Sequence, residues 1–167
     1  MTAQRIILEH DLWRKGAGGA PAGLTGQADS STYVDLDLDL AKFTETTFAG
    51  SCFTGTTFRK AQWAGCRFTD CIFSACDFEG IAIRGCAFTH CVFEQARFGR
   101  STLASSQFMR CELREVNFDQ GQWSKVRLLD CTATTVKARG LRGEGVDFTR
   151  SGFEQLEFED TILNSAM

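Results

Sequence analysis

The 167-residue sequence contains one proline, one tyrosine and two histidines, and it has no long hydrophobic run. Its apolar stretches fall short of the roughly 18 residues that a membrane-spanning helix needs. Residues 1–13 also lack the charged start, apolar middle and small-residue cleavage site of a signal peptide. These absences predict a cytoplasmic protein that does not contact a membrane.

Neither sign of charge is in large excess. Lys and Arg number 18 against 21 Asp and Glu, which gives a formal net charge of −3. Proteins that bind nucleic acid through its phosphates usually present a strong basic field. The composition therefore predicts no direct binding to nucleic acid. A length of 167 residues predicts one domain with a short arm rather than two large domains.

Residues that could support catalysis are few. The sequence lacks a P-loop, a GxGxxG motif after a strand, a GxSxG motif and an HExxH motif. Of the two histidines, His10 lies near the N-terminus, and His90 belongs to a series of mostly charged residues at outward positions. We therefore predict that the protein is not an enzyme and needs no cofactor.

Phenylalanine, in contrast, is abundant and regularly spaced. All 15 Phe residues occupy positions whose numbers end in 3 or 8. The chance that they would share one of five registers is about 10⁻¹⁰, so the chain contains an internal repeat. Trp, Ile or Leu fills most gaps in the series, which runs from Leu38 to Leu163 in steps of five and comprises 26 positions.

A second series of mostly small residues lies two positions before the first, as Cys66, Cys71 and Cys76 illustrate. Neither a helix, with about 3.6 residues per turn, nor a strand, with a period of about 2, stays in phase with five. The chain must therefore turn a corner every five residues and wind as a solenoid. Residues 66–80, CRFTD-CIFSA-CDFEG, resemble the pentapeptide-repeat family, whose unit is A(D/N)LXX.

The resemblance implies an all-β fold, a right-handed quadrilateral parallel β-helix with four pentapeptides in each coil. At four per coil, the 26 positions give about 6.5 coils over residues 36–165, preceded by an arm over residues 1–35 with a flexible Gly- and Ala-rich segment. Both inward positions fill the shaft, and residues one coil apart stack. Two predicted columns contain Phe48, Phe68, Phe88, Phe108, Leu128 and Phe148, and Leu38, Phe58, Phe78, Phe98, Phe118, Ala138 and Phe158.

The two inward series exchange sizes late in the repeat. Ala133, Ala138 and Gly143 stand where Phe or Leu is usual, while the second series becomes large at Val136, Leu141 and Val146. A trade at roughly constant volume is tolerated better than a cavity. We therefore expect the register to continue there with a locally altered coil.

Eight cysteines raise the question of zinc or disulfides. Seven of them occupy the small inward series, and only Cys52 faces outward. Zinc motifs use close pairs that converge on one point, whereas Cys71, Cys91, Cys111 and Cys131 would form a column spread over four coils. Buried cysteine packs as a small hydrophobic residue. We therefore predict free buried thiols, no metal site and a reducing cytoplasm.

Charge varies along the predicted axis. Residues 29–81 carry 8 acids and 4 bases, residues 84–150 carry 7 acids and 11 bases, and residues 154–160 carry 4 acids and no base. Outward residues one coil apart often have opposite charges, as Asp39 and Arg59 do, which should help to set the stacking of the coils. One branch of the family, the fluoroquinolone-resistance proteins, is thought to present a DNA-like acidic rod to DNA gyrase. The middle of this rod carries an excess of bases, which does not suit a continuous acidic mimic of DNA. A DNA-mimicking protein that binds gyrase or topoisomerase is therefore the alternative hypothesis and not the leading one.

The ends of a solenoid expose unpaired backbone and apolar side chains. The arm is the candidate cap for the N-terminal end, as a short helix or a strand. No further sequence follows to cover the last inward residues at the other end. This predicts an end-to-end homodimer with Phe153, Phe158 and Leu163 at its interface.

The few apolar residues at outward positions cluster on two adjacent faces. Ile72 and Val92 belong to one face, Met109 and Leu129 belong to the face before it, and we call these four residues the apolar strip. A contiguous apolar patch usually marks an interaction site. Two occupants remain open, a separate protein partner and the protein's own arm, whose apolar residues lie between positions 6 and 13.

These features together favour a non-enzymatic, rigid scaffold for protein–protein interaction from a bacterial pentapeptide-repeat protein. The family resemblance adds a role as an accessory to effectors or secretion machinery. No motif in the sequence identifies the partner.

Overall fold

The computed structural model describes residues 2–165. One helix, α1 (Ala3–Arg14), precedes short parallel strands that wind into a β-helix of about seven turns. The predicted all-β solenoid is therefore confirmed. Residues one coil apart pair in register, as Phe48 does with Phe68 and Phe68 with Phe88.

Three of the four sides of the solenoid are parallel sheets, which we call the first, second and third faces. The first face has eight strands, Gly23–Thr25, Lys42–Thr44, Gln62–Ala64, Ala82–Arg84, Thr102–Ala104, Gln122–Ser124, Arg142–Val146 and Ile162–Ser165. The second face has six, Ala28–Asp29, Thr47–Ala49, Arg67–Thr69, Ala87–Thr89, Gln107–Met109 and Arg127–Leu129. The third face has seven, Thr32–Val34, Cys52–Thr54, Ile72–Ser74, Val92–Glu94, Glu112–Asn117, Thr132–Arg139 and Gly152–Glu159.

The remaining side, the fourth face, is built from single bridges rather than strands over most of its length. These bridges join Asp37, Thr57, Asp77, Arg97 and Asn117 in order, one coil after another. The last three strands of the third face then continue around the corner and supply the fourth face themselves.

Corners between faces use left-handed backbone at the residue two positions after each central residue. Asp70, Ala75 and His90 have φ values of 54°, 52° and 53°, although none of them is glycine. A residue with left-handed backbone bends an extended chain, here from one face of the coil onto the next. The repeated corner explains why the period is five residues.

Stacked aromatic rings fill the shaft as the columns predict. The ring centroids of Phe48, Phe68, Phe88 and Phe108 are 4.7, 4.8 and 4.7 Å apart along the column, and their planes are nearly parallel. Rings on neighbouring faces meet edge to face, such as Phe88 and Phe93 at 5.5 Å. Both arrangements are favourable for aromatic pairs, and every residue of the first column up to Leu128 is buried.

The small inward residues also form hydrogen bonds, in which their thiols and hydroxyls donate to backbone carbonyls. The thiol of Cys91 donates to the carbonyl of Phe68 at 3.3 Å, and Cys111 donates to Phe88 at the same distance. Ser151 continues the column and donates to the carbonyl of Leu128 at 2.8 Å. The inward series therefore fastens each coil to the coil before it.

The exchange of sizes near residue 140 is accommodated by repacking, as expected. Val136, Leu141 and Val146 are buried, and the strands of the third face lengthen there. A Cβ atom at Gly143 would lie 2.7 Å from the side chain of Leu163 and 2.9 Å from that of Val146, so a larger residue would require these side chains to move. The register continues from Ala133 to Gly143, as expected, but it shifts by one residue between Gly143 and Val146, where the paired strand has a β-bulge or irregularity.

The sheets begin earlier than the predicted boundary at residue 36. Leu24, Asp29 and Tyr33 already occupy inward positions and are buried. Leu24 and Asp29 pair with residues 19 positions later, whereas Tyr33 pairs with Phe53, 20 positions later. One residue fewer between Asp29 and Tyr33 interrupts the period, which is why residues 23–34 look like part of the arm in the sequence.

The rest of the arm forms α1, which caps the N-terminal end of the shaft. Its Ile7 is fully buried at the end of the core. The carboxylate of Asp11 accepts a hydrogen bond from the backbone N–H of Asp37 at 2.7 Å, and Arg14 pairs with Asp37 at 3.2 Å. The choice between helix and strand, left open by the sequence, is resolved as a helix.

Candidate functional site

The apolar strip lies beside the corner between the second and third faces. Ile72 pairs in register with Val92 on the third face, and Met109 pairs with Leu129 on the second. Ile72 is 43% exposed, and Val92 and Met109 are partly exposed. Leu129 is only 8% exposed, so its outward register does not make it accessible. The accessible part of the strip is therefore Ile72, Val92 and Met109.

The arm does not cover the apolar strip. Helix α1 packs against the first strands of the first and second faces and bonds to residues 22, 37 and 39. The interpretation in which the arm folds back over the strip is therefore wrong, because the helix lies on the end of the shaft. Its Leu8, Leu12 and Trp13 are themselves about 40% exposed.

Charged residues line the corner next to the strip. His90 and Arg110 lie one coil apart, with ring and guanidinium nitrogens 3.5 Å from each other. Asp130 and Arg150 form an ion pair at 2.7 Å further along the same corner. The hydrogen bond from Arg150 lowers the pKa of Asp130. Among the residues described, no carboxylate lies within ion-pair distance of His90, and the residues of this corner contact one another from coil to coil along the surface.

Charge on the fourth face alternates from coil to coil. The outward column after the central residues contains Asp39, Arg59, Glu79, Gly99, Asp119, Arg139 and Glu159. Arg59 lies 3.3 Å from Asp39, and Arg139 lies 2.8 Å from Glu159. The predicted opposite-charge stacking is therefore present at both ends of the column.

Gly99 interrupts this column and leaves a surface cleft of about 230 Å³, which we call the Gly99 cleft. Its lining consists of acidic, basic and amide side chains around the glycine, namely Glu79, Arg97, Arg100, Asn117, Asp119 and Gln120. The sequence does carry a signal for this cleft, because a glycine falls at twenty-residue spacing among charged residues.

The C-terminal end of the shaft remains open among the residues described. Phe158 is 38% exposed, and Phe153 and Leu163 are partly buried. The acids around this end are in part neutralised, since Lys137 lies 3.7 Å from Glu157 and Arg142 lies 3.4 Å from Asp160. The geometry leaves the three predicted interface residues at the end of the rod, and the homodimer stays a prediction.

The cysteines lie as their register predicts. Seven are buried, Cys52 is partly exposed, and all eight are free thiols. Burial raises the pKa of Cys76 to about 12. Within residues 2–165, no group of three His, Cys, Asp or Glu side chains is arranged to hold a metal ion.

We expect a thiol reagent to modify the native protein at Cys52 alone. The other thiols are inside the shaft, and the reactive thiolate is scarce when a thiol is buried. Mass spectrometry after brief labelling should find one adduct, and labelling in denaturant should find eight. Rapid labelling of Cys71 or Cys91 before unfolding would contradict the inward register.

His10 is the residue whose role the sequence did not predict. It is fully buried between α1 and the first coil, and burial lowers its pKa. The backbone N–H of Ala22 donates to Nδ1 at 2.8 Å, so Nε2 carries the proton and donates to the carbonyl of Asp39 at 2.7 Å. One neutral tautomer therefore joins the cap to the solenoid.

Among the residues described, no helix is both long and apolar enough to cross a membrane. Residues 61–138 match a family model for a pentapeptide repeat region. The comparison with curated proteins finds no match.

Several solved structures resemble the chain at low sequence identity. A trypsin-treated variant of QnrB1, a plasmid-mediated fluoroquinolone resistance protein, is 16% identical, with 80% of this chain and 92% of that chain covered and a TM-score of 0.46. HetL, a pentapeptide repeat protein involved in heterocyst differentiation regulation from the cyanobacterium Nostoc sp. strain PCC 7120, is 14% identical, with 100% and 99% covered and a TM-score of 0.24. Rfr23, a pentapeptide repeat protein from the cyanobacterium Cyanothece 51142, is 9% identical, with 94% and 99% covered and a TM-score of 0.25. The five-residue repeat, the four-sided β-helix that it builds and the match of residues 61–138 to the family model show that the chain contains a pentapeptide-repeat region.

Proposed function

We propose that the protein is a non-enzymatic, rigid module for protein–protein interaction. The observation that carries this proposal is the accessible apolar strip of Ile72, Val92 and Met109, which the parallel ladders of the third and second faces hold in place. A rigid apolar surface can bind a partner with little loss of conformational entropy. The partner would contribute apolar side chains at the strip and polar groups around it.

The hypothesis also includes a cellular compartment, a cellular role and a second protein contact. Eight free thiols favour a reducing cytoplasm, and the family resemblance favours a bacterial accessory of effectors or secretion machinery. With 18 bases against 21 acids in the chain, the hypothesis includes no direct binding to nucleic acid. The end-to-end homodimer adds a second protein contact at Phe153, Phe158 and Leu163.

The alternative, a DNA mimic that binds gyrase, requires a continuous acidic surface along the rod. The fourth face instead places bases between acids, as Arg59 does between Asp39 and Asp77 at 3.3 and 3.9 Å. We therefore expect the protein to leave DNA supercoiling by purified gyrase unchanged, with or without fluoroquinolone. Inhibition or protection in this assay would favour the mimic.

Two aspartates in the strip should weaken binding of the partner. We expect Ile72→Asp with Met109→Asp to lower retention of the bound protein from a lysate of the source organism by about tenfold, since a charge at the centre of an interface resists desolvation. The measurement is quantitative mass spectrometry of proteins retained on the immobilised chain.

The matched control is Thr47→Asp with Thr54→Asp, which adds the same charge at exposed positions of the same two faces, at the strand ends away from the corner beside the strip. This control should retain the partner, and circular dichroism should show both variants folded. Equal loss in both variants, or no loss in either, would remove the strip as a binding surface.

A further inference from the structure

The Gly99 cleft occupies a position where the charge pattern calls for a base. Along its column the residues before it are Asp39, Arg59 and Glu79, and those after it are Asp119 and Arg139. Acids and bases alternate along the column on both sides of Gly99, so each of its two neighbours in the column is an acid. With neighbouring coils about 4.8 Å apart, the backbones of these two acids stand roughly 9–10 Å from each other, with Gly99 between them.

Nothing in the backbone or the packing requires glycine at this place. Gly99 does not have the left-handed φ that many other glycines of the chain adopt. A Cβ atom there would meet its nearest neighbours, the carbonyl of Asp119 and the Cγ of Glu79, at 3.9 Å, an ordinary contact distance. Gly143 differs, because a Cβ atom there would crowd the side chains of Leu163 and Val146. The cleft is therefore space that a side chain would fit.

The two carboxylates that face the cleft are available. Among the residues described, Glu79 and Asp119 take part in no ion pair, while the acids at the ends of the column do. One oxygen of Asp119 accepts the backbone N–H of Arg139 at 2.8 Å, and the other is unengaged. Unpaired carboxylates on both sides of an open place favour a cation between them.

The arginines beside the cleft do not fill this place. Arg100 is directed along the corner, where its Nε donates to Gln120 at 3.2 Å. Arg97 belongs to the neighbouring column and forms no ion pair among the residues described. Two bases can lie side by side on one coil of this protein, because Lys137 and Arg139 do so. The acids of the next coil stabilise them, since Glu157 lies 3.7 Å from Lys137 and Glu159 lies 2.8 Å from Arg139.

We propose that the Gly99 cleft receives the guanidinium or ammonium group of a basic side chain from a protein partner. The group completes the interrupted column between Glu79 and Asp119. This proposal rests on the proposed function as an interaction module, and it adds the chemistry of a partner at a surface separate from the apolar strip.

The test is a nuclear magnetic resonance titration of the full chain with N-acetyl-arginine amide. Amide signals of Glu79, Gly99 and Asp119 should shift on addition of this probe. N-acetyl-citrulline amide, which has the same shape without the charge, should leave them in place. Equal shifts with both probes, or shifts with neither, would overturn the proposal.

Two variants locate the site. Gly99→Arg supplies the missing base within the chain and should eliminate the shifts, while Glu79→Gln should weaken binding by about two- to fivefold, the range of a surface ion pair. Gly152→Arg adds the same charge at a glycine with open space around its Cβ position, and Glu45→Gln removes an exposed carboxylate elsewhere. Unchanged binding in Gly99→Arg, or equal losses in the two controls, would contradict the assignment.

The titration also separates this proposal from the function on which it rests. The probe is a single amino acid, so it reports on the cleft without the protein partner. A negative titration together with loss of capture in the Ile72→Asp and Met109→Asp variant would reject the cleft and keep the interaction module.

Discussion

Replacement of Phe88 by alanine is expected to lower the free energy of unfolding by about 3–5 kcal/mol, the usual cost of truncating a buried phenylalanine. Phe88 is fully buried, and its ring stacks on Phe68 and Phe108 at 4.8 and 4.7 Å. The shaft cannot close around the cavity easily, because the coils on both sides are fixed by their ladders. Urea denaturation followed by circular dichroism measures the loss.

The matched control is Phe158→Ala in the second predicted column. Phe158 is 38% exposed at the open end of the rod, so the same truncation should cost about 1 kcal/mol there. An equal loss at both positions, or an unchanged unfolding transition for Phe88→Ala, would contradict a core that is filled by stacked phenylalanines.

The regular part of the fold follows from the sequence because one residue type marks one structural position. Phenylalanines at every fifth residue can all be buried in one core only if the chain turns at the same interval. The left-handed corners at residues such as Asp70 and His90 provide that turn. The same register places Cys91 and Cys111 inside, without any knowledge of their carbonyl partners.

The first coil escaped prediction for the converse reason. A single residue is missing between Asp29 and Tyr33, and the central position at 29 is an aspartate. Its carboxylate is buried and accepts hydrogen bonds from the hydroxyls of Tyr33 at 2.6 Å and Ser51 at 2.7 Å. These partners come from different parts of the chain, so only the folded structure explains a carboxylate in a column of rings.

The two surface sites are likewise predictable from the sequence only in part. Twenty-residue spacing places Ile72 above Val92 and Gly99 between two acids, and both arrangements can be read from the sequence. Accessibility cannot be read so directly, because it depends on neighbouring side chains. Leu129 is covered, whereas the place beside Gly99 is open. The register thus predicts the direction of a residue and leaves its exposure to tertiary packing.

The N-terminal cap has no repeat, and the buried imidazole of His10 is one of its attachments to the solenoid. We expect His10→Leu to lower the free energy of unfolding by about 2–4 kcal/mol, because the N–H of Ala22 and the carbonyl of Asp39 would both lose a buried partner. Urea denaturation measures the loss. His90→Leu, at the exposed corner, is the control and should change the stability little.

The pH dependence tests whether His10 is the buried neutral group that couples the stability of the cap to pH. Burial lowers the pKa of His10, with Arg14 acting in the same direction and Asp37 and Asp39 opposing it. The unfolded chain then takes up a proton near its ordinary pKa of about 6.5, before the folded protein does. Stability that is fully present above this value should therefore decline as the pH falls through it toward the lower folded pKa. Wild type and His90→Gln should lose more stability between pH 7.5 and pH 5 than His10→Gln, since carboxylate titration is common to all three. Parallel losses in the three proteins would show that His10 is not the group that links the cap to pH.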